Sequence, residues 1–134
     1  MWISVIMLLA LIVNGCSSSP TPTYDPSKLD LPPVVEVKLT TIPAEPIAGE
    51  PTIIRVAVMD ERKPRDGMRI ELRNNARETR LHEAEEKVVS GQTVYEIQAV
   101  LEQSGENIIT YHFNVDHYHL MSSFTIEVKE DGGR

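Results

Sequence analysis

Short runs in which apolar and polar residues alternate are the feature that most constrains the fold of this chain. Between residues 34 and 128 six such runs follow one another, separated by segments rich in proline, glycine and charge. A period of two places successive side chains on opposite faces of a strand, and no segment carries an apolar stripe at helical spacing. The alternating apolar positions are Val35, Val37 and Leu39; Ile54, Val56 and Val58; Met68, Ile70 and Leu72; Tyr95, Ile97, Ala99 and Leu101; Ile109, Tyr111, Phe113 and Val115; and Phe124, Ile126 and Val128.

These runs predict an all-β fold, an immunoglobulin-like antiparallel β-sandwich of about seven strands. The seventh strand is expected as one edge strand between residues 79 and 88, where the pattern is weakest. The charged segment 60–67 contains a proline and ends in glycine, and we expect it to form a hairpin-like turn.

Charge and cysteine content exclude several classes of function. The chain carries a formal net charge of −7, whereas nucleic-acid binding favours a basic surface, so we expect no nucleic-acid partner. Its single cysteine, Cys16, leaves the predicted domain without a thiolate nucleophile or a disulfide. None of the common catalytic motifs occurs, and we expect that the protein is not an enzyme.

The amino-terminal segment points to a lipid anchor. Residues 3–13 are apolar and uncharged, but a membrane-spanning helix needs roughly 20 such residues. The run leads into Val13-Asn14-Gly15-Cys16, which resembles the lipobox of a bacterial lipoprotein. The resemblance implies cleavage before Cys16, acylation of its sulfur, and attachment to the extracytoplasmic face of the cell membrane. The alternative is an ordinary cleaved signal peptide with an incidental cysteine.

The chain is accordingly divided into four parts: a signal peptide at residues 1–15, a tether at 16–33, the β-sandwich domain at 34–128, and a disordered tail at 129–134. The tether contains five of the nine prolines, which favours an extended and semi-rigid segment.

Histidine and methionine are concentrated near the last predicted hairpin. With the turn at residues 116–119, Val115 lies opposite Leu120 and Asn114 lies opposite Met121. His112 is then a diagonal neighbour of Met121, and His119 shares their face of the sheet.

Two interpretations of these residues stay open. Imidazoles with a thioether form a soft ligand set that suits Cu(I), with Cu(II) or Zn(II) as alternatives for the imidazoles alone. His82 would join this set if the uncertain edge strand lay beside the hairpin. Alternatively, all these side chains are ordinary polar residues on the solvent-exposed face of a strand.

The order of several short motifs resembles the YtkA-like family, which is related to FixH-type domains. They include Pro43-x-x-Pro46-x-x-Gly49-Glu50, Lys63-Pro64, Leu81-His82-Glu83, and His119-x-Met121 ahead of a final strand. The resemblance implies a β-sandwich accessory module of a Gram-positive bacterium, associated with copper handling or oxidase assembly. It also implies that His82, His112, His119 and Met121 occupy the family's His and Met positions.

Two functions are therefore expected from the sequence. The first is a membrane-anchored lipoprotein that binds a metal, copper above all, through these four residues. The second is a non-catalytic module that binds a protein partner through an exposed sheet edge.

Overall fold

The computed structural model describes residues 25, 27, 29–74 and 78–133. The chain divides into two units, residues 1–30 and 31–134. In the first unit, the Asp25 carboxylate accepts hydrogen bonds from the backbone N–H and the hydroxyl of Ser27. The second unit contains all eight described strands and its own hydrophobic core, which is the property of a domain that folds independently.

Two antiparallel sheets of four strands each form this domain. The strands are β1 Val37–Ile42, β2 Pro51–Val58, β3 Met68–Arg73, β4 Thr79–Glu83, β5 Glu85–Val89, β6 Gln92–Val100, β7 Gly105–Val115 and β8 Tyr118–Val128. The first sheet has the order β1-β2-β6-β5 and the second has the order β4-β3-β7-β8. This is an immunoglobulin-like arrangement, so the predicted all-β sandwich is confirmed, with eight strands rather than seven.

The core lies between the two sheets and is built from the alternating positions of the sequence. Ile54, Ile70 and Ile109 are fully buried, and Tyr95 and Phe113 are almost so. Burying an aliphatic side chain of this size contributes about 1.5–3 kcal/mol, so the alternation itself is the main stabilising feature of the fold.

The prediction of a single edge strand between residues 79 and 88 was wrong. The structure has two strands there: β4 pairs with β3 in the second sheet, and β5 pairs with β6 in the first. The chain crosses between the sheets at Ala84, whose N–H donates to the carbonyl oxygen of Met68 at 2.8 Å. Because each half pairs with a different neighbour, the segment as a whole shows no continuous alternation.

The segment 60–67 is also not a hairpin turn. It joins β2 of the first sheet to β3 of the second, so it is a crossover between sheets. Two side-chain hydrogen bonds from Arg62 to the Asp60 carboxylate brace its start. Gly67 ends it with φ of 80°, a conformation that side chains disfavour.

The end of the domain differs slightly from the prediction. Lys129, which the sequence assigned to the tail, donates its N–H to the carbonyl oxygen of Pro46 and accepts from the N–H of Ala48. These bonds hold the chain beyond β8 against the β1–β2 loop.

Candidate metal site

The outer face of the second sheet brings three of the four predicted metal ligands together. Directly paired residues share a face of a sheet, and one row across all four strands consists of Glu83, Arg69, His112 and Met121. In the next row Asn114 lies opposite His119. His112, His119 and Met121 are called the imidazole–thioether cluster below.

The pairing that forms this cluster differs from the predicted one by two residues. Val115 pairs with Tyr118, not with Leu120, because the turn contains only Asp116 and His117. Asp116 adopts a positive φ of 53°, which a short polar side chain tolerates in a tight turn. A shift of two residues keeps every side chain on its predicted face. It moves Met121 from a diagonal position to one directly opposite His112.

The two imidazoles of the cluster lie side by side. Their ring centroids are 5.7 Å apart and their planes are inclined by 30°. The His112 side chain is only 14% exposed, and its Nε2 lies 3.5 Å from Oε2 of Glu71. That nitrogen is buried and forms no hydrogen bond. The site therefore contains a buried polar atom whose hydrogen-bonding capacity is unused.

His119 is held through Nδ1, whereas His112 faces its neighbour Glu71 through Nε2. Its Nδ1 lies 2.9 Å from Oδ1 of Asn114, and the Asn114 amide nitrogen donates to the Asp66 carboxylate at 3.3 Å. Asp66 is brought to this position because the backbone N–H of Arg65 donates to the carbonyl oxygen of Asn114.

A shallow cleft of about 210 Å³ opens over this region. Its lining includes His112, His119, Arg69, Glu83 and Asp66. Met121, the third member of the cluster, is 58% exposed.

His82 does not belong to the cluster. It pairs with Ile70, which is fully buried, so its side chain lies on the core side of the second sheet. The Nε2 atom of His82 is buried there and makes no hydrogen bond. The expectation that His82 would be a fourth ligand is therefore wrong, because the sheet separates it from His112 and His119.

His117 occupies the turn before β8. Its ring packs against that of Tyr118 with a centroid separation of 4.0 Å. The two ring planes are inclined by 36°, so the contact is tilted rather than stacked.

The described part of the chain contains no cluster of the side chains that most often bind metals. Across residues 25, 27, 29–74 and 78–133, no three side chains among His, Cys, Asp and Glu are grouped so that they could hold a metal. A metal at the cluster would therefore need the Met121 sulfur as its third donor.

The first sheet carries a different polar group, which the sequence analysis missed. Glu96 is 7% exposed, and its carboxylate lies 2.6 Å from Nε of Arg55 and 3.1 Å from Nζ of Lys87. Burial alone would raise the pKa of Glu96, but the hydrogen bonds from Arg55 and Lys87 outweigh it and lower that pKa. Nearby, burial and the Glu86 carboxylate raise the pKa of Tyr95 to about 12. Each charged group around Glu96 has a partner, so Arg55, Glu96 and Lys87 form a structural ion-pair network.

The sequence analysis also missed the polar residues that lie next to the two imidazoles. Glu71, Asn114 and Asp66 come from three separate parts of the chain, and ordinary surface positions look the same in sequence. Alternation along β3 and β7 places Glu71 and Asn114 on the outer face, but only the pairing of strands brings them next to the histidines.

Comparison of the chain with protein-family models, with curated proteins and with solved structures finds no match. Cys16 and the predicted signal peptide lie outside the described residues. Among the residues that are described, no helix is long and apolar enough to cross a bilayer.

Proposed function

We propose that this protein is a lipid-anchored, extracytoplasmic β-sandwich that binds a soft metal ion, Cu(I), as an accessory protein. The observation that carries the proposal is the pairing of Met121 directly opposite His112, with the His119 ring 5.7 Å from the His112 ring. This arrangement offers two imidazoles and one thioether on the same outer face of the second sheet.

The donor set favours Cu(I) over other metals. Thioether sulfur is a soft ligand that selects Cu(I), whereas Zn(II) in structural sites takes thiolates, imidazoles and carboxylates in sets of four. Because no third His, Cys, Asp or Glu joins the pair of imidazoles within the described ranges, the thioether decides the preference.

The charges around the cluster also suit a cation. The Glu71, Glu83 and Asp66 carboxylates surround it, against the guanidinium groups of Arg69 and Arg65. The surplus of negative charge offsets the charge of a bound monovalent ion, whose two imidazole ligands and thioether are neutral.

The cellular location in this proposal is supported by sequence alone. Three features of the sequence resemble those of a lipoprotein: the apolar segment 3–13, the lipobox-like Val13-Asn14-Gly15-Cys16 and the proline-rich tether. The resemblance of residues 34–128 to the YtkA-like family supports the metal part of the proposal, since that family is associated with copper handling or oxidase assembly.

The metal proposal is tested by Cu(I) competition titration of residues 31–134 against a chromophoric chelator. We expect one tightly bound ion per chain, and a loss of at least tenfold in affinity on replacing His112 and Met121 together by alanine. His82→Ala is the matched control, since its imidazole lies on the opposite face of the sheet. Affinity weaker than micromolar in the unmodified domain, or equal losses in the control, would contradict the proposal.

The anchor is tested separately by expressing the full chain in a bacterium that is fed labelled palmitate. Label should appear in the protein and vanish in Cys16→Ser, while the protein moves from the membrane to the soluble fraction. Equal labelling of both forms would remove the anchor from the proposal.

A second candidate function is binding of a protein partner along a sheet edge. Leu81 on β4 is 53% exposed and Val88 on β5 is 71% exposed, and both strands lie at sheet edges. A photo-crosslinking residue at position 88, but not at exposed Glu127 on β8, should then capture one defined partner in cells. Equal capture from both positions would argue against this edge.

A further inference from the structure

Each imidazole of the cluster has one ring nitrogen directed at a polar group on another part of the chain. His119 presents Nδ1 to Asn114, and His112 presents Nε2 towards Glu71. Since a neutral imidazole has one N–H and one lone pair, the chemistry of the group behind each ring decides which nitrogen can bind a metal.

For His119 the direction of the hydrogen bonds follows from Asp66. An ionised carboxylate only accepts hydrogen bonds, so the Asn114 amide nitrogen must face Asp66 and donate to it. The Asn114 carbonyl oxygen then faces His119 and can only accept. Nδ1 of His119 must carry the hydrogen, and its lone pair is on Nε2.

For His112 the same reasoning starts at Glu71. Oε2 of Glu71 lies 3.5 Å from Nε2, and this nitrogen is buried from solvent. A carboxylate beside a buried ring nitrogen favours the tautomer with the hydrogen on that nitrogen. The lone pair of His112 is then on Nδ1.

We infer that Asn114, oriented by Asp66, and Glu71 are positioning residues that direct Nε2 of His119 and Nδ1 of His112 to a bound metal. This inference rests on the proposed function. Histidine ligands of metals commonly donate their second ring nitrogen to a carboxylate or carbonyl group, which fixes both the ring and its tautomer.

The backbone reinforces this arrangement. The N–H of Arg65 donates to the carbonyl oxygen of Asn114 at 2.9 Å, and an Arg65 guanidinium N–H donates to the Asp116 carbonyl oxygen at 2.8 Å. These contacts tie the crossover that carries Asp66 to the β7–β8 hairpin. These contacts hold Asp66 beside Asn114.

The first test is nitrogen-15 NMR of the imidazoles in metal-free residues 31–134, at a pH of about 8. We expect His119 as the Nδ1–H tautomer and His112 as the Nε2–H tautomer. In Asn114→Ala the His119 signals should move towards the average of two exchanging tautomers. The opposite tautomer at either histidine in the unmodified domain would overturn the inference.

The second test is the Cu(I) titration of the same variant. Asn114→Ala should weaken Cu(I) binding by about 10–100-fold, the usual effect of removing a residue that orients a ligand. Thr125→Ala, on the same outer face of β8, is the matched control and should leave affinity unchanged. Unchanged affinity in Asn114→Ala would also overturn the inference.

These outcomes separate the inference from the proposed function. If the unmodified domain binds no Cu(I), the proposed function fails, and with it the claim that the two lone pairs are directed at a metal. If the domain binds Cu(I) but the tautomers or the Asn114→Ala affinity differ from expectation, only the positioning role fails.

Discussion

A disulfide between positions 112 and 121 would test the strand pairing on which the site depends. In an antiparallel pair, directly opposite residues have Cα atoms about 4.5–5.5 Å apart, within the roughly 4.4–6.8 Å that a disulfide spans. His112 and Met121 are such a pair. Replacing both by cysteine in residues 31–134 adds the only two thiols, because Cys16 is the sole cysteine of the chain. We expect the bond to form in air.

The gain in stability follows from the length of the loop that the bond closes. Residues 112–121 form a loop of ten, for which the chain-entropy relation gives about 2.7 kcal/mol at 25 °C. For a domain of this size that corresponds to a rise in melting temperature of roughly 10–20 °C. The comparison is between the oxidised and reduced forms of one variant, so the loss of the His112 and Met121 side chains cancels.

The assay is thermal unfolding followed by circular dichroism, with thiol titration to measure oxidation. The control variant places cysteines at 114 and 121, which would face each other if Val115 were opposite Leu120. Spontaneous oxidation of the control pair, with slow or no oxidation of the 112–121 pair, would refute the observed pairing and the cluster built on it.

Three further predictions concern the stability of the domain. Glu96→Gln should lower the free energy of unfolding in urea by about 2–3 kcal/mol. This is less than the roughly 3–5 kcal/mol lost when a fully buried ion pair is broken, because Arg55 is partly exposed. Glu127→Gln, as a control, should lower it by less than about 0.5 kcal/mol. The pKa of Glu96 is lowered in the folded state, so its contribution is present above the unfolded value of about 4.3 and is lost as pH falls through the folded value. The difference in unfolding free energy between the Glu96→Gln and unmodified domains should therefore shrink as pH falls from 7 towards 3, and a constant difference would contradict this. Ile70→Ala should lower the free energy of unfolding by about 2–5 kcal/mol, because Ile70 is fully buried. Leu81→Ala should lower it by well under half as much, because Leu81 is 53% exposed. Equal losses would contradict the assignment of these two residues to opposite faces.

Alternation in the sequence was enough to predict the all-β fold and the inward faces of the six regularly alternating strands. Ile54, Ile70 and Ile109 are all at predicted inward positions, and all are fully buried. A shift of one residue would expose such side chains, so burial determines which residues face outward. For this reason His112, His119 and Met121 were correctly predicted to share one outer face.

Alternation could not determine the pairing of β7 with β8. A shift of two residues buries the same set of side chains, so burial does not distinguish Val115 opposite Leu120 from Val115 opposite Tyr118. The difference depends on the turn, where Asp116 adopts a positive φ of 53°. An aspartate at that position tolerates such a conformation without requiring it.

The same pattern did not determine the face of His82. In Thr79–Glu83 the apolar residue Leu81 would be expected inside, which would leave His82 outside. The observed pairing of His82 with Ile70 reverses this, leaving Leu81 exposed on the outer face. The five-residue strand has only one large apolar side chain, so burial specifies its orientation weakly and the sequence pattern does not determine it.

X-ray absorption spectroscopy of the copper-loaded domain would show whether a Cu(I) ion is held by two imidazoles and a thioether. We expect one sulfur and two nitrogen neighbours of copper, with the sulfur signal lost in Met121→Leu. A spectrum with only nitrogen and oxygen neighbours, or a domain that retains no copper, would contradict it.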